Sequence, residues 1–355
     1  MLRIKRPFIG PLPSFLPSLT LSVLGLAAAV SVAAAASLGG PMELQDEGQF
    51  FIGGQPMPST HPSNAAGFLP GQIMANQMFV HYRIPAAVNK PPIIMVHGSG
   101  HTGVTYETTP DGREGWATYF TRNNFPTYVV DHSGRGRSGF DPTPINRAKA
   151  ESNVSLLPDV PLTTKERAWV NFRFGNAYPT AFPGLQFPVE AIDQYVSQLV
   201  PNTETTLAGG GANTVKALSA LVDKIGPSIV MVHSQSGNYG LDLVRHRADK
   251  LRGLIIVEGS CGPLSADDVS RHFKKVPILI VLGDNTTGSK TNNGDERRKQ
   301  CAESANQIRA EGGKAKFMLL PEAGIKGNSH MMMMDRNNLI IADQVIGWLT
   351  EVAGM

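Results

Sequence analysis

The chain has 355 residues, of which 41% are hydrophobic and 17% charged, and its formal net charge is +3. This composition is typical of a globular protein and excludes an intrinsically disordered chain. The first 36 residues carry three basic and no acidic residues, so their removal leaves a net charge of zero and no electrostatic reason to expect nucleic acid as a partner.

Residues 1–36 have the pattern of a secretory signal peptide. Arg3, Lys5 and Arg6 precede an acid-free apolar run that ends in small residues near Ala36. The alternative is an uncleaved membrane anchor, since the run is close to the minimum length of a membrane span. The cleavable pattern favours a signal peptide, and we expect a periplasmic or secreted protein with no stable membrane association after cleavage.

Short apolar runs recur along residues 37–355, which we expect to form one domain. A first strand is predicted at GQFFIGG, and a second, with alternating apolar residues, at NQMFVHYRI. The later runs are IIMVHG, TYVVD, IVMVH, LIIVE, ILIVLGD and KFMLLP. Continuous apolar runs of this length are typical of strands that are covered on both faces, as in a parallel sheet.

Segments with helical spacing separate these runs. The clearest are TVKALSALVDKIG, GLDLVRHRADKL, ERRKQCAESANQIRAEGG and NNLIIADQVIGWLTEV. Strands and helices in alternation predict an α/β fold, with a mostly parallel central sheet and helices on both faces. Ligands of such sheets bind beyond the carboxyl ends of the strands, so the functional residues are expected there.

Residues 141–212 interrupt the alternation with a proline-rich segment. A long irregular segment inside a compact domain is usually a lid or a binding loop. Its aromatic residues are Trp169, Phe172, Phe174, Tyr178, Phe182 and Phe187. They either line a pocket for an apolar substrate or pack the insertion onto the sheet, and the sequence leaves both possibilities open.

The stretch MVHSQSGNYG places two serines directly after an apolar run. In a nucleophile elbow the serine lies on a tight turn between a strand and a helix, with small residues two positions away on either side. Ser234 follows the predicted strand at once, whereas Ser236 lies a turn too late. The register favours Ser234 as the nucleophile and Ser236 as a small flanking residue, although both outer positions depart from G-x-S-x-G.

A base and two possible acids follow in the chain. His330 lies in a Gly/Asn-rich loop before the last predicted helix, where an imidazole could accept the serine proton and return it to the leaving group. Glu258 ends the run LIIVE, and Asp284 ends ILIVLGD one strand later. Strand order favours Asp284, because the later strand is the commoner place for the acid, but Glu258 stays open. A non-catalytic secreted binding protein on the same fold is a further hypothesis, which would be favoured if Ser234, His330 or both acids were absent, and all of them are present.

Backbone amides that could bind an oxyanion occur at two places. Gln235, directly after the candidate nucleophile, supplies one, and either Ser99 or Gly100 in MVHGSGHTG supplies the other.

The same loop supports a different class of enzyme. GSGHTG matches G-x-G-x-x-G, and Asp131 ends the next predicted strand, so an NAD-binding oxidoreductase is a distant alternative. Two strands precede the motif, however, and Asp131 lies 28 residues beyond Gly103 rather than about 20. The sequence has no H-E-x-x-H, paired C-x-x-C or Walker loop, and we expect neither a metal nor another cofactor.

Cys261 and Cys301 are the only cysteines. In an exported protein two cysteines favour one disulfide, and a buried free pair is the alternative.

The motifs HSQSG, VEG, PDGREG, DHSGRGRSG and GNSHMMMMDRNN together resemble a branch of secreted bacterial α/β-hydrolase esterases with a Ser-Glu-His triad. That branch includes a vicinal-disulfide esterase and a sulfonylurea-herbicide de-esterifying esterase. The likeness runs from about residue 47 to the C-terminus. By position it implies the nucleophile Ser234, the base His330, the acid Glu258, and oxyanion amides at Ser99 and Gln235. The resemblance therefore replaces Asp284 with Glu258.

The resemblance also has limits. Ser99 and Gly100 stand where one relative has adjacent cysteines, so no vicinal disulfide is possible here, whereas Cys261 and Cys301 have counterparts in that relative. The implied function is hydrolysis of a small or medium, hydrophobic or aryl ester through an acyl-enzyme. A lactone or amide hydrolase on the same triad is the alternative, and a homo-oligomer stays possible.

Overall fold

The computed structural model describes residues 39–287 and 294–353, so the predicted signal peptide lies outside the described residues. One sheet contains eight strands. In chain order they are β1 (Leu44–Ser59), β2 (Gly71–Pro85), β3 (Ile93–Val96), β4 (Thr127–Asp131), β5 (Ser228–His233), β6 (Leu251–Val257), β7 (Ile278–Leu282) and β8 (Ala315–Leu319).

The α-helices in these ranges are α1 (Trp116–Arg122), α2 (Thr143–Ala150), α3 (Lys165–Asn171), α4 (Ile192–Ser197), α5 (Gly210–Ile225), α6 (Ser236–Arg247), α7 (Ala266–Arg271), α8 (Gly294–Ala310) and α9 (Asn338–Ala353). None of them is both long enough and apolar enough to cross a membrane.

The sheet has the order β1-β2-β4-β3-β5-β6-β7-β8. β2 is antiparallel to both of its neighbours, β1 and β4, and every other neighbouring pair is parallel. The prediction of a mostly parallel α/β sheet is confirmed. Because parallel strands end at the same edge, the loops after β3, β5, β6 and β7 meet there.

Helices cover both faces of the parallel strands. Successive residues of a strand point to opposite faces, so each strand contributes to two cores. One core contains Met95, Met231, Ile255, Trp116 and Trp348, from three strands and from α1 and α9. The other contains Val96, Val232, Leu218, Leu243 and Ile308, from two strands and from α5, α6 and α8. Burial on both faces explains why these strands are continuous apolar runs in the sequence.

The two N-terminal strands are much longer than the sequence pattern predicted. β1 and β2 form an antiparallel hairpin that pairs from Leu44 with Pro85 to Ser59 with Gly71. Most β1 residues are at least partly exposed, so no continuous apolar run marks the strand. Gly53 and Gly54 also interrupt the alternation with positive φ angles of 66° and 73°. The long pairing with β2 keeps the backbone extended despite this weak local signal.

The insertion contains more regular structure than predicted, since α2, α3 and α4 lie within it. Its predicted end at residue 212 falls inside α5, which starts at Gly210 because Gly209, at φ 83°, makes the turn into the helix. Four of its aromatic side chains are buried in the core, namely Trp169, Phe172, Phe174 and Phe187. These four pack into the core on one face of the sheet, and Phe172 also lies against His330, whereas Tyr178 is 39% exposed.

Candidate active site

Ser234 occupies the turn between β5 and α6. Its φ of 52° is the left-handed conformation that a tight strand-to-helix turn imposes, and its amide donates to the carbonyl of Val257 at the end of β6 (3.1 Å). A Cβ atom on Gly98 would lie 2.9 Å from Ser234 Cβ, so glycine is required for the loop after β3 to pass this close. The Ser234 side chain is half-buried at the edge of the sheet where the strand ends meet.

Ser236 has a different environment. It is fully buried at the start of α6, where its hydroxyl donates to the carbonyl of His97 and lies 2.8 Å from His132 Nε2. The structure therefore does not bring Ser236 to His330.

His330 links the candidate nucleophile to a carboxylate. Its Nε2 lies 2.9 Å from Ser234 Oγ, and its Nδ1 lies 2.9 Å from Glu258 Oε2. In the tautomer with a proton on Nδ1, the imidazole donates to Glu258 and accepts the serine hydroxyl proton. The two contacts form one continuous chain from hydroxyl to carboxylate.

The loop that carries His330 is held by Asp335. This buried carboxylate accepts hydrogen bonds from the amide and the hydroxyl of Ser329 (2.8 and 2.7 Å) and from Asn328 Nδ2 (2.9 Å). Asp335 lies in the motif GNSHMMMMD but was not among the predicted site residues. Its carboxylate fixes the turn that presents the imidazole.

Glu258 and Asp284 follow neighbouring strands but have different partners. Glu258, at φ 54°, directs one oxygen to His330 and accepts the Gly283 amide with the other (2.6 Å). The Asp284 carboxylate accepts the amides of Asn285 (2.7 Å) and Gly327 (2.9 Å). Asp284 is thus used to cap backbone turns, and the structure brings Glu258 to the imidazole.

The surroundings set the protonation states of this pair. Burial lowers the pKa of His330 to about 4, even though the hydrogen bond to Glu258 acts in the opposite direction. Burial alone would raise the pKa of Glu258, but the charge of Arg173 and the hydrogen bond to His330 outweigh it and hold that pKa well below its usual range. At neutral pH the imidazole is therefore neutral and the carboxylate ionised, as a general base and its partner require.

The backbone amides of Ser99 and Gln235 lie in the loops after β3 and β5, at the edge of the sheet where the strand ends meet. Among the described residues, the amides of Ser99 and Gln235 have no hydrogen-bond acceptor. The Gly100 amide, by contrast, donates to Asn202 Oδ1 (2.6 Å), while Asn202 Nδ2 donates to Ser99 Oγ (2.6 Å). Of the two loop amides that the residues alone left open, that of Ser99 is the available one.

Sequence reasoning missed two buried arginines at the site. Arg173, in the insertion, binds both oxygens of Glu258. Arg135 donates to the Gly98 carbonyl (2.9 Å) and pairs with Glu204 of the insertion. Arg135 lies in the motif DHSGRGRSG, which carries the family resemblance but does not by itself indicate a role for this arginine. No local pattern marks Arg173.

The geometry does not support the dinucleotide-binding alternative. Asp131, the candidate ribose ligand, accepts the Gly103 amide (2.7 Å) and pairs with Arg137 (2.8 Å). The glycine-rich loop runs into a short 3₁₀ helix, Gly103–Tyr106, rather than into the long helix that such a site needs. Within the two described ranges, no group of three or more His, Cys, Asp or Glu side chains could hold a metal ion.

Cys261 and Cys301 form a disulfide, with a Cα–Cα distance of 4.9 Å. It joins the loop after Glu258 to α8, whose Arg297 donates to the Glu258 carbonyl (3.0 Å).

Fold and site together define an α/β hydrolase. A solved structure described as a novel bacterial esterase is 38% identical and superposes with a TM-score of 0.84, covering 88% of this chain and 98% of that one. A probable secreted lipase, phiG, from a fungal species (strain ATCC 74256) is 28% identical over 338 residues, covering 77% of this chain and 86% of the lipase. No protein-family model matches the chain. The chain belongs to the family of that bacterial esterase, and it is a carboxylic ester hydrolase.

Proposed function

We propose that the protein hydrolyses esters by a serine mechanism, with Ser234 as nucleophile, His330 as general base and acid, and Glu258 as the acid of the triad. The observation that carries this proposal is the pair of 2.9 Å contacts that connects Ser234 Oγ, the imidazole and Glu258 Oε2. Hydroxyl, base and orienting carboxylate are the three groups that acyl transfer to serine needs, in the order it needs them.

In the acylation step, Ser234 Oγ attacks the ester carbonyl carbon while its proton passes to His330 Nε2. The carbonyl oxygen becomes an oxyanion, which the amides of Ser99 and Gln235 stabilise. The ionised Glu258 carboxylate accepts a hydrogen bond from the Nδ1–H group of His330 and stabilises the imidazolium. The C–O bond to the alcohol then breaks, and the alcohol leaves with the Nε2 proton.

In the deacylation step, water replaces the alcohol. His330 takes a proton from the water, whose oxygen attacks the acyl carbon, and the same two amides stabilise the second oxyanion. Collapse returns the proton to Ser234 Oγ and releases the carboxylic acid. No cofactor takes part in this scheme.

The substrate is a small or medium hydrophobic or aryl ester. Four exposed apolar residues of the insertion support this: Val154, Leu157, Val160 and Leu162. Their segment adjoins the candidate oxyanion site, since the carbonyl of Pro161 accepts the amide of Asn202 (3.0 Å), the residue that binds Ser99 and Gly100. A relative named as a lipase agrees with an apolar ester.

The insertion, residues 141–212, acts as the cap over this site, and residues 1–36 act as the export signal. Support for the cap comes from the contacts of its residues with the β3 loop and with Glu258. Support for a periplasmic or secreted location comes from the leader pattern and from the relative named as secreted.

The test combines covalent labelling with a substrate screen. A fluorophosphonate should label the mature protein once, on Ser234, and Ser234→Ala should lose labelling and about 10⁴-fold or more of kcat on an aryl ester. Ser197→Ala, on the exposed surface of α4, is the matched control and should keep both. Labelling of another residue, or an active Ser234→Ala, would reject the proposal. Esters, lactones and amides of varied size, tested side by side, would define the substrate class.

A further inference from the structure

Two consecutive residues of the insertion contact both the base and the acid. The carbonyl of Phe172 accepts the amide of His330 (2.9 Å), and its ring lies nearly parallel to the imidazole, with centroids 5.6 Å apart and planes inclined by 13°. The guanidinium of Arg173 binds both oxygens of Glu258, with Nη1 2.8 Å from Oε2 and Nη2 bonded to Oε1. One short segment therefore holds the two groups that must meet.

Arg173 is itself fixed from several sides. Its Nε donates to the carbonyl of Asp284 (2.9 Å), and its backbone has a φ of 59°, which a non-glycine residue adopts only where its surroundings impose it. Its side chain is 3% exposed, and that of Glu258 is 1% exposed. A bidentate ion pair that is shielded from water fixes the rotation of the carboxylate as well as its position.

The charge of Arg173 acts on both members of the dyad. Burial favours the protonated form of Glu258, and the positive charge of Arg173 opposes this by stabilising the carboxylate. Its Nη1 also lies 3.4 Å from His330 Nδ1, where it disfavours the imidazolium. The charged or titratable groups that face His330 from the surrounding elements are Glu258, Arg173, Arg297, His233 and His101. Among them, only Arg173 comes from the insertion. Its guanidinium binds the Glu258 carboxylate, whereas Arg297 donates to the Glu258 main-chain carbonyl.

We propose that Arg173 is a positioning residue, through which the insertion completes the triad. Its guanidinium holds Glu258 ionised and rotated so that Oε2 accepts a hydrogen bond from the Nδ1–H group of His330. The triad is assembled only with the Phe172–Arg173 segment in place. This inference rests on the proposed serine mechanism and deepens it, since the insertion then supplies part of the machinery besides covering the site.

The test compares Arg173→Gln and Arg173→Lys with Arg336→Gln. Arg336 pairs with Glu190 of the insertion at an exposed position, so it is a matched control for an ion pair away from the triad. Activity needs neutral His330 and ionised Glu258, and loss of the Arg173 charge raises the pKa of both. Arg173→Gln should therefore lower kcat by about 10- to 100-fold with little change in KM, and move the acid limb of kcat/KM to higher pH. Arg173→Lys should keep the limb near that of the wild type and recover part of kcat.

Rates are divided by the concentration of sites that a fluorophosphonate labels, so that only folded, competent enzyme is counted. Suppose that Arg173→Gln lowers the melting temperature, but that its normalised kcat and the acid limb of its kcat/KM profile match those of Arg336→Gln. Arg173 is then merely structural and the inference fails. If Arg173→Gln does not fold, Arg173→Lys decides the question, because lysine keeps the positive charge. An acid limb of Arg173→Lys that shifts to higher pH as far as loss of the charge predicts would overturn the inference. Failure of the serine mechanism is distinct, because wild-type labelling at Ser234 would then be absent.

Discussion

His330 Nδ1 lies 2.9 Å from Oε2 of Glu258, which directly follows β6. It does not contact Asp284, which lies two residues after the end of the next strand, β7. Both strands end at the same edge of the sheet, so either carboxylate starts near the imidazole. Glu258 reaches it because its left-handed backbone and longer side chain turn the carboxylate towards His330, where Gly283 and Arg173 hold it. Asp284 is kept away by the backbone amides that it caps.

Substitution of each acid tests this assignment. Glu258→Gln should lower kcat by about 10³- to 10⁴-fold, because the amide no longer stabilises the imidazolium or fixes the tautomer. Asp284→Asn should lower kcat by less than about tenfold, since only its role as a backbone cap is weakened. Steady-state kinetics on one aryl ester measure both. A large loss for Asp284→Asn together with a small one for Glu258→Gln would reverse the assignment.

The features that local patterns encode were predictable from the sequence. The parallel strands bury both faces and so appear as apolar runs, and the end of the run at His233 set the register that favours Ser234. The contact between Glu258 and His330 could not be predicted from strand order, because it depends on a backbone angle and on side-chain length. Arg173 was not reachable at all, since its partner lies 85 positions away and its segment has no periodic pattern.

The buried histidines predict loss of stability in mild acid. Burial lowers the pKa of His97 and His101 to about 3 and that of His330 to about 4, and it holds those of His132 and His233 well below the usual value. The unfolded chain binds protons at these residues near pH 6.5, whereas the folded chain does not until its lower pKa is reached. The stability present above pH 6.5 is therefore lost as the pH falls, by up to about 1.4 kcal/mol per pH unit for each histidine.

Urea unfolding between pH 7 and pH 5 measures this effect. The free energy of unfolding should fall continuously as the pH is lowered. His101→Gln should reduce the slope by about one proton, because glutamine does not titrate. Glutamine can still bond to the Ser99 carbonyl and the Tyr195 hydroxyl, so the fold should be kept. Equal stability at pH 7 and pH 5 in the wild type would contradict the expected neutral state of the buried imidazoles.

The ion pair of Arg135 with Glu204 is a second buried link between the insertion and the site. Arg135 is fully buried, donates to the Gly98 carbonyl (2.9 Å), and lies 3.2 Å from the side-chain oxygen of Gln235. Glu204→Gln should lower the free energy of unfolding by about 3 kcal/mol, because it leaves a buried charge unpaired. It should also lower kcat by about tenfold, since the oxyanion amides are displaced rather than removed.

Glu190→Gln provides the comparison for this variant, because Glu190 pairs with Arg336 at an exposed position. It should change stability by less than about 1 kcal/mol and leave kcat unchanged. Chemical denaturation and steady-state kinetics report both effects. Identical behaviour of the two glutamine variants would show that the buried pair contributes nothing special to the site.

The disulfide between Cys261 and Cys301 should stabilise the fold with little effect on the chemistry. The two residues are 40 positions apart, and closing a loop of that size restricts the unfolded chain by about 4 kcal/mol. Glu258 keeps its own restraints without the bond, since its side chain binds the Gly283 amide and its carbonyl accepts from Arg297. Cys261→Ala combined with Cys301→Ala should therefore lower the urea midpoint while kcat stays within about tenfold of the wild type.

Reduction of the disulfide is the control for this double variant. Because both sulfurs are buried, a reductant is added under unfolding conditions, where it should destabilise the wild type but leave the double variant unchanged. A double variant as stable as the wild type would mean that packing, and not the bond, holds the loop to α8.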